Sequence, residues 1–154
     1  MARRIEEHLF FENIPGASVR FANFSGVEIP PYNPAGKRNF SIDILDEELA
    51  KKLSKDGWNI KFSEPNEDGV AYPPRLTVQV GYKIEQLKPR VMMEQGGNKV
   101  YLDEHTIGDL DAMEIIRVKA IELRPYNWDN GQSAGVTAYL VAMRVEVARD
   151  MFCD

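Results

Sequence analysis

Apolar and polar side chains alternate with a period of two residues along most of this chain. Phe40, Ile42 and Ile44 alternate with polar neighbours, and the same pattern runs through residues 76–82 and 139–147. Successive side chains of a β-strand point to opposite faces, so this period indicates strands with one buried face. In the last stretch, the pattern places Tyr139 on the same face as the apolar residues that follow it.

One segment departs from this pattern and predicts a helix over residues 47–56. Asp46 can accept hydrogen bonds from the free amides at its start, and Gly57 is suited to end it. Leu49 and Leu53 lie one turn apart and form its apolar stripe. We therefore expect the helix to pack on the sheet through this stripe.

Turn residues divide the remaining chain. Asp129-Asn130-Gly131 lies between two long apolar runs and predicts a β-hairpin. Residues 27–36, 64–74 and 94–98 are rich in Pro, Gly, Asn or Asp and are predicted to be loops. The expected fold is mainly β, namely an OB-fold-like antiparallel β-barrel with one α-helix and long loops. Periodicity alone fits a β-sandwich equally well.

The length of 154 residues is that of one domain. We expect residues 1–154 to form a single unit, with residues 1–13 as an N-terminal extension. No apolar run is long enough to span a bilayer, and no secretory signal is visible. Cys153 is the only cysteine, which excludes an internal disulfide and a four-cysteine zinc site, and indicates a reducing compartment.

The charge is unevenly distributed, although the formal net charge is −5. Residues 17–45, 59–62, 75–93 and 115–126 contain the predicted strands and their joining loops. They hold eleven basic residues against four acidic ones, Glu28, Asp43, Glu85 and Glu122. The basic residues are Arg20, Lys37, Arg38, Lys61, Arg75, Lys83, Lys88, Arg90, Arg117, Lys119 and Arg124. This distribution favours a basic sheet face that meets a polyanion.

Catalytic motifs are not visible in the sequence. His8 and His105 lack partners at the spacing of a hydrolase or zinc site; Asp103 and Glu104 beside His105 fit a solvated turn better than a metal site. Gly36-Lys37 resembles the end of a phosphate-binding loop, but Arg38 replaces the magnesium-binding Ser or Thr. We therefore predict no enzymatic activity, no metal and no cofactor.

Aromatic and basic residues are interleaved, which is typical of proteins that bind single-stranded nucleic acid by base stacking and phosphate contacts. The candidate binding residues are Arg20, Tyr32, Lys37, Arg38, Trp58, Lys61, Tyr82, Lys83, Arg124, Tyr126 and Trp128. Trp58 follows the end of the helix and fits a core position equally well. Phe21, Phe40 and Phe62 share the parity of neighbouring apolar residues and are predicted to lie in the core.

Three short motifs occur in a fixed order: Asn23-Phe24-Ser25-Gly26, then Tyr32-Asn33-Pro34-Ala35-Gly36-Lys37-Arg38-Asn39-Phe40, then Arg124-Pro125-Tyr126-Asn127-Trp128 with Gly131 and Ala138-Tyr139-Leu140. In these motifs, over most of residues 14–148, the chain resembles the single-stranded DNA-binding proteins of tailed bacteriophages. The resemblance implies an OB-type fold and cooperative coating of single-stranded DNA during replication or recombination.

The resemblance also implies where the protein acts and with what. We expect it to work in the cytoplasm of the infected bacterial host, with replication or recombination proteins as possible partners, and to form a homo-oligomer if coating is cooperative. By position, Tyr32, Lys37 and Arg38 would lie on the first long loop, and Arg124, Tyr126 and Trp128 on the last. Both loops border the groove of an OB barrel.

Two features depart from the family pattern. The helix follows the second predicted strand, whereas an OB fold places it between the third and fourth. The chain ends at residues 149–154 without an acidic tail, which we interpret as a truncated end. The alternative function is a structural β-protein of the virion, such as a capsid-decorating or tail subunit. A weaker third is a metal-dependent nuclease with carboxylates assembled in space.

Overall fold

The computed structural model of the protein describes residues 4–149. Within this range the chain forms one α-helix, α1 (Glu47–Asp56), three short 3-10 segments (Gly16–Ser18, Glu85–Leu87 and Ile107–Ala112) and nine strands. The strands are β1 (Leu9–Pro15), β2 (Val19–Asn23), β3 (Arg38–Asp43), β4 (Ile60–Lys61), β5 (Arg75–Val80), β6 (Arg90–Gln95), β7 (Asn98–Leu102), β8 (Ile115–Asp129) and β9 (Ala134–Val147).

The strands form one open sheet in the order β1-β8-β9-β5-β3-β2, with β4 on β5, β6 on β9 and β7 on β6. The prediction of a mainly β fold with one sizeable helix is confirmed. The sheet is mixed rather than wholly antiparallel, because β9 pairs in parallel with both β5 and β6. Parallel neighbours require a long connection between them, and the chain supplies it between β5 and β9.

Strands β5 and β6 lie one after the other along the same edge of β9. The β5 pairing includes Gln79 with Tyr139, and the β6 pairing begins at Arg90 with Ala142. Residues 81–89 therefore leave the sheet after β5 and return to it at β6. We call this segment the 81–89 excursion; it forms one wall of the site described below.

The helix forms as the sequence predicts. Asp46 Oδ1 accepts hydrogen bonds from the amides of Glu48 and Leu49 at 3.1 and 3.2 Å. Gly57 ends the helix with a φ of 114°, which disfavours any residue with a Cβ. Leu53 is buried, whereas Leu49 is only partly buried against the core.

An additional strand near the N-terminus explains why the sequence placed the helix after the second strand. Residues 9–13, expected in the N-terminal extension, belong to β1, which pairs antiparallel with β8 from Leu9 opposite Leu123 to Pro15 opposite Arg117. The sequence does not alternate there, because Leu9, Phe10 and Phe11 are consecutive apolar residues and Asn13 adopts a φ of 53°. The helix therefore follows the third strand of the chain rather than the second.

Two hairpins connect neighbouring strands. The predicted turn at Asp129-Asn130-Gly131 joins β8 to β9, and Asn130 Oδ1 accepts hydrogen bonds from the amides of Gln132 and Ser133. A second hairpin joins β6 to β7 through Gly96 and Gly97, both with positive φ. Residues 94–98 were predicted to be a loop, but only these two glycines lie outside the strands.

The core lies on one face of the sheet and contains Phe40, as predicted, with its ring centroid 5.2 Å from that of Phe24. Two other predictions of burial are wrong, since Phe21 and Phe62 are both exposed. The pairing of β2 with β3 is irregular between Arg20 and Asn23, and Phe21 takes a φ of 55°, which turns its side chain outward. Phe62 follows a strand of only two residues, so alternation does not extend to it.

Among residues 4–149, no helix is long and apolar enough to cross a membrane. Cys153 and residues 150–154, on which the expectation of a truncated end depends, lie outside the described part of the chain.

Candidate nucleic-acid interface

A groove of about 770 Å³ opens on the face of the sheet opposite the core. Its floor is formed by residues of β5, β8 and β9, and its walls by residues 34–38 and the 81–89 excursion. The lining residues used below are Lys37, Arg38, Gln79, Tyr82, Lys83, Ile84, Leu87, Glu104, Arg124, Tyr126 and Tyr139.

Two tyrosines and an arginine form its aromatic floor. Arg124 pairs with Tyr139 across β8 and β9, and its guanidinium carbon lies 4.6 Å from the centroid of the Tyr139 ring. The Tyr126 ring meets Tyr139 edge to face, with centroids 5.9 Å apart and an interplanar angle of 72°. Tyr126 is 53% exposed. These contacts hold the rings in place while leaving aromatic surface open to solvent.

Arg38 and Tyr82 form a second pair, which joins the two walls of the groove. The Arg38 guanidinium lies 5.3 Å from the Tyr82 ring centroid and donates hydrogen bonds to the carbonyl oxygens of Phe24 and Glu104 at 3.0 and 3.1 Å. Tyr82 is buried, and this burial raises the pKa of its hydroxyl to about 12, although Arg38 acts in the opposite direction. The hydroxyl therefore stays neutral in the physiological range.

The loop that forms the wall at residues 34–38 is held by the side chain of Asn33. Its amide nitrogen donates to the carbonyl oxygens of Val27 and Lys37, both at 3.0 Å, and its amide oxygen accepts from Asn39 Nδ2 at 2.9 Å. A backbone hydrogen bond from Gly36 to Gly26 closes the same loop. These bonds fix the position of Lys37 at the rim of the groove.

The charge of the groove is positive. Lys37, Arg38, Lys83 and Arg124 line it together with a single carboxylate, that of Glu104. Several other basic residues are neutralised elsewhere by carboxylates within 4 Å, among them Lys88 by Glu85, Arg117 by Glu146 and Lys119 by Glu94. Four of the eleven basic residues counted in the sequence therefore lie together in this groove.

Six of the eleven predicted binding residues line the groove, namely Lys37, Arg38, Tyr82, Lys83, Arg124 and Tyr126. Trp128 lies two residues beyond Tyr126 on the same face of β8 and is half-buried against Gly135. Tyr32 is 85% exposed on the loop that supplies the wall, but its ring does not line the groove.

The other three predicted residues lie elsewhere. Trp58 is buried in the core, so its ring cannot stack on a base. Arg20 donates a hydrogen bond to Asp43 Oδ2 at 2.8 Å near the far end of β3. Lys61 lies on β4 opposite Arg75, also away from the groove.

Tyr139 is the most important lining residue that the sequence pattern missed. The β8–β9 register shifts between Glu122 and Leu123, so that Leu140 and Met143 both face the core. This irregularity places Tyr139 on the opposite face from Met143, although the two-residue period predicts the same face. Gln79, Ile84 and Leu87 were also missed; no single-residue signal marks them.

A metal site is not apparent among residues 4–149, where no cluster of three or more His, Cys, Asp or Glu side chains could hold an ion. The segment near His105 is a turn, in which Asp103 Oδ1 accepts hydrogen bonds from the amides of His105 and Thr106 at 2.8 and 3.1 Å. These bonds lower the pKa of the Asp103 carboxyl.

A mainly β chain with a basic, aromatic groove on its open sheet face has the character of a nucleic-acid-binding protein. The sequence model of the family described as "Putative phage ssDNA-binding domain" matches residues 2–153, and the chain belongs to this family. The prediction of a bacteriophage single-stranded DNA-binding protein is thereby confirmed, in preference to a virion structural protein. No curated protein sequence matches the chain.

Solved structures with a similar fold come from bacteriophage Enc34. The single-stranded DNA-binding protein of this phage in complex with ssDNA is 12% identical, with a TM-score of 0.53, and the match covers 99% of this chain and 97% of that one. Its C-terminal truncation is 11% identical with a TM-score of 0.53, covering 98% and 95%. At this identity the likeness shows a shared fold.

Proposed function

We propose that the groove is the site at which this protein binds single-stranded DNA without reading its sequence. The observation that carries the proposal is the cluster of Arg124, Tyr126 and Tyr139 on the sheet, facing Lys37 and Lys83 on the rims. Aromatic rings accept any base, because every base has a flat face. The cations at the rims lie where phosphates would pass.

The same geometry favours single strands over duplexes. In a duplex the faces of the bases are stacked on each other, so the tyrosine rings have nothing to stack on. An unpaired strand can present its bases to Tyr126 and Tyr139, and each ring contributes roughly 1 to 3 kcal/mol. We therefore expect duplex DNA to bind only through its phosphates, weakly and with strong salt dependence.

Our proposal extends to the role of the protein. It acts by binding alone, as one unit over residues 1–154, and it coats single strands during replication or recombination in the cytoplasm of the infected host. It requires no cofactor, and DNA incubated with the protein and magnesium stays intact. Coating is helped by contacts between neighbouring copies and by replication or recombination proteins that the phage uses.

The test is fluorescence anisotropy of labelled oligothymidylate and of a duplex of equal length, titrated with the protein at several salt concentrations. Tyr126→Leu and Tyr139→Leu should each weaken oligothymidylate binding by about 5-fold or more. Tyr101→Leu is the matched control, because Tyr101 is 72% exposed on β7 and does not line the groove. Equal binding of both DNA forms, unaffected by either groove variant, would refute the proposal.

A further inference from the structure

A second cluster of exposed aromatic and basic side chains lies beyond the groove, around the end of β3 and the start of β5. Its members are Arg20, Phe21, Lys61, Phe62, Tyr72 and Arg75, and we call it the Phe21 patch. The three rings are exposed, with Phe21 the most accessible at 68%. Rings of this size are normally buried or bound, so their grouping requires an explanation.

Cations accompany the rings in this patch as they do in the groove. The guanidinium carbon of Arg75 lies 5.1 Å from the Phe21 ring centroid, and that of Arg20 lies 5.5 Å from the Tyr72 centroid. Arg20 is neutralised by Asp43. Lys61 lies beside Arg75 in the β4–β5 register, and neither has a carboxylate within 4 Å among the described residues.

The backbone holds Phe21 outward in an unfavourable conformation. Its φ of 55° lies in the left-handed region, which side chains with a Cβ rarely adopt. The irregular pairing between Arg20 and Asn23 produces this conformation. Strain of this kind is commonly retained where a side chain must be presented for binding.

The patch and the groove lie on the same face of the sheet. Along β5, Gln79, Thr77 and Arg75 share one face, and Gln79 lines the groove. Gln79 and Arg75 are four positions apart along the strand, or about 13 Å. Between them, the hydroxyls of Ser41 and Thr77 form a hydrogen bond of 3.1 Å and present no charge. The carboxylate on this part of the sheet is that of Asp43, opposite Arg75; it is buried and paired with Arg20. An extended strand leaving the groove can therefore reach the patch without meeting an exposed carboxylate there.

We propose that the Phe21 patch is a second single-stranded DNA subsite, reached by the same strand that occupies the groove. Bases stack on Phe21 and Tyr72, and Lys61 and Arg75 contact phosphates. This inference rests on the function proposed above for the groove. The groove binds the first few nucleotides, and the patch adds affinity only when the strand is long enough to reach it.

The test compares oligothymidylates of increasing length, from about 4 to 16 nucleotides, the range of site sizes for such folds. The double variant Phe21→Leu/Tyr72→Leu keeps apolar side chains but removes both rings. It should bind the shortest oligonucleotides as the unmodified protein does and the longest ones about 10-fold or more weakly. The control is again Tyr101→Leu, which should follow the unmodified protein at every length.

A second variant, Lys61→Gln/Arg75→Gln, tests the interaction with phosphates. For long oligonucleotides, the slope of log affinity against log salt should become shallower by about 0.7 for each phosphate that is no longer neutralised. Length dependence and salt slope unchanged in both variants would overturn the inference. If the unmodified protein binds no oligothymidylate, the groove proposal fails; if it binds and only Tyr126→Leu and Tyr139→Leu weaken it, the patch alone is refuted.

Discussion

The guanidinium of Arg124 lies over the ring of Tyr139, 4.6 Å from its centroid, on adjacent strands of the sheet. The two side chains therefore fix each other. A cation held against a ring keeps its charge at the floor of the groove, and the ring keeps its orientation for stacking. Arg124 was predicted from the sequence as a binding residue, whereas Tyr139 was not.

We predict that Arg124→Gln weakens oligothymidylate binding and makes its salt slope shallower by about 0.7, because one phosphate is no longer neutralised by the protein. In a double-mutant cycle with Tyr139→Leu, the two reductions in affinity should not add, and the coupling should be about 0.5 to 1 kcal/mol. Anisotropy titrations of the four proteins measure both quantities. Strict additivity would show that the cation and the ring act independently.

Trp128 is held in place by its contact with Gly135, which has no side chain. A Cβ placed on Gly135 would lie 2.9 Å from Cζ2 of the indole, which leaves no room for a methyl group. Gly135→Ala is therefore expected to displace the indole and to cost about 1 to 3 kcal/mol of stability. Trp58 is bridged to Val136, the neighbour of Gly135, so tryptophan emission is compared in a Trp58→Phe background, where it comes from Trp128 alone. Urea unfolding measures the loss of stability.

Gly81→Ala is a suitable comparison for that variant. A Cβ there meets the Tyr139 ring at 3.5 Å, an ordinary contact, and Gly81 has no positive φ. Its unfolding midpoint should stay close to that of the unmodified protein. A similar loss of stability in both variants would contradict the steric explanation for Gly135.

Tyr82→Phe should stabilise the protein. The Tyr82 hydroxyl is buried and has no hydrogen-bonding partner among residues 4–149. Removal of an unsatisfied buried hydroxyl recovers roughly 1 kcal/mol, and the ring remains under Arg38. Thermal unfolding should show a higher midpoint. A lower midpoint would indicate that the hydroxyl has a stabilising role that these contacts do not explain.

Glu94 should contribute to stability in a way that depends on pH. Lys119 donates a hydrogen bond to its carboxylate, which lowers the pKa of Glu94 in the folded state. A lowered folded-state pKa stabilises the protein above the unfolded pKa of about 4.3, and this contribution is lost as pH falls through the folded-state value. Glu94→Gln should therefore reduce the urea midpoint at pH 7 but reduce it progressively less below about pH 4.

Glu47→Gln provides the control for that titration. Glu47 is exposed in the first turn of α1, and no ion pair within 4 Å involves it among the described residues. Its effect on the midpoint should be small at every pH. A constant difference between Glu94→Gln and the unmodified protein across the titration would rule out the ionic explanation.

Local signals made the helix and the long hairpin predictable. Asp46 and Gly57 mark the ends of α1, and Asn130-Gly131 marks the turn, because each acts through bonds to its own neighbours. The irregular register between β8 and β9 was not predictable from such local signals. The shift near Leu123 that brings Tyr139 into the groove depends on the pairing of two strands, and a two-residue period in one strand carries no information about it.

The sequence pattern also fails to predict burial on either side of a short strand. Trp58 and Phe62 lie four residues apart at the edge of one short strand, yet one is buried and the other exposed. Whether each ring is buried depends on what packs against β4, which is only two residues long. Lys37, Arg38 and Arg124, which line the groove, were predictable as exposed residues because charged side chains are seldom buried in a core.

Because β5 and β6 are each hydrogen-bonded to β9 independently, the 81–89 excursion is not needed to set the register of either strand. Its length can therefore change while the sheet stays the same, provided that Tyr82 keeps its buried position. Shortening or extending this segment would change the width of the groove at which we propose that DNA binds, which makes it the natural place to engineer a protein of altered site size.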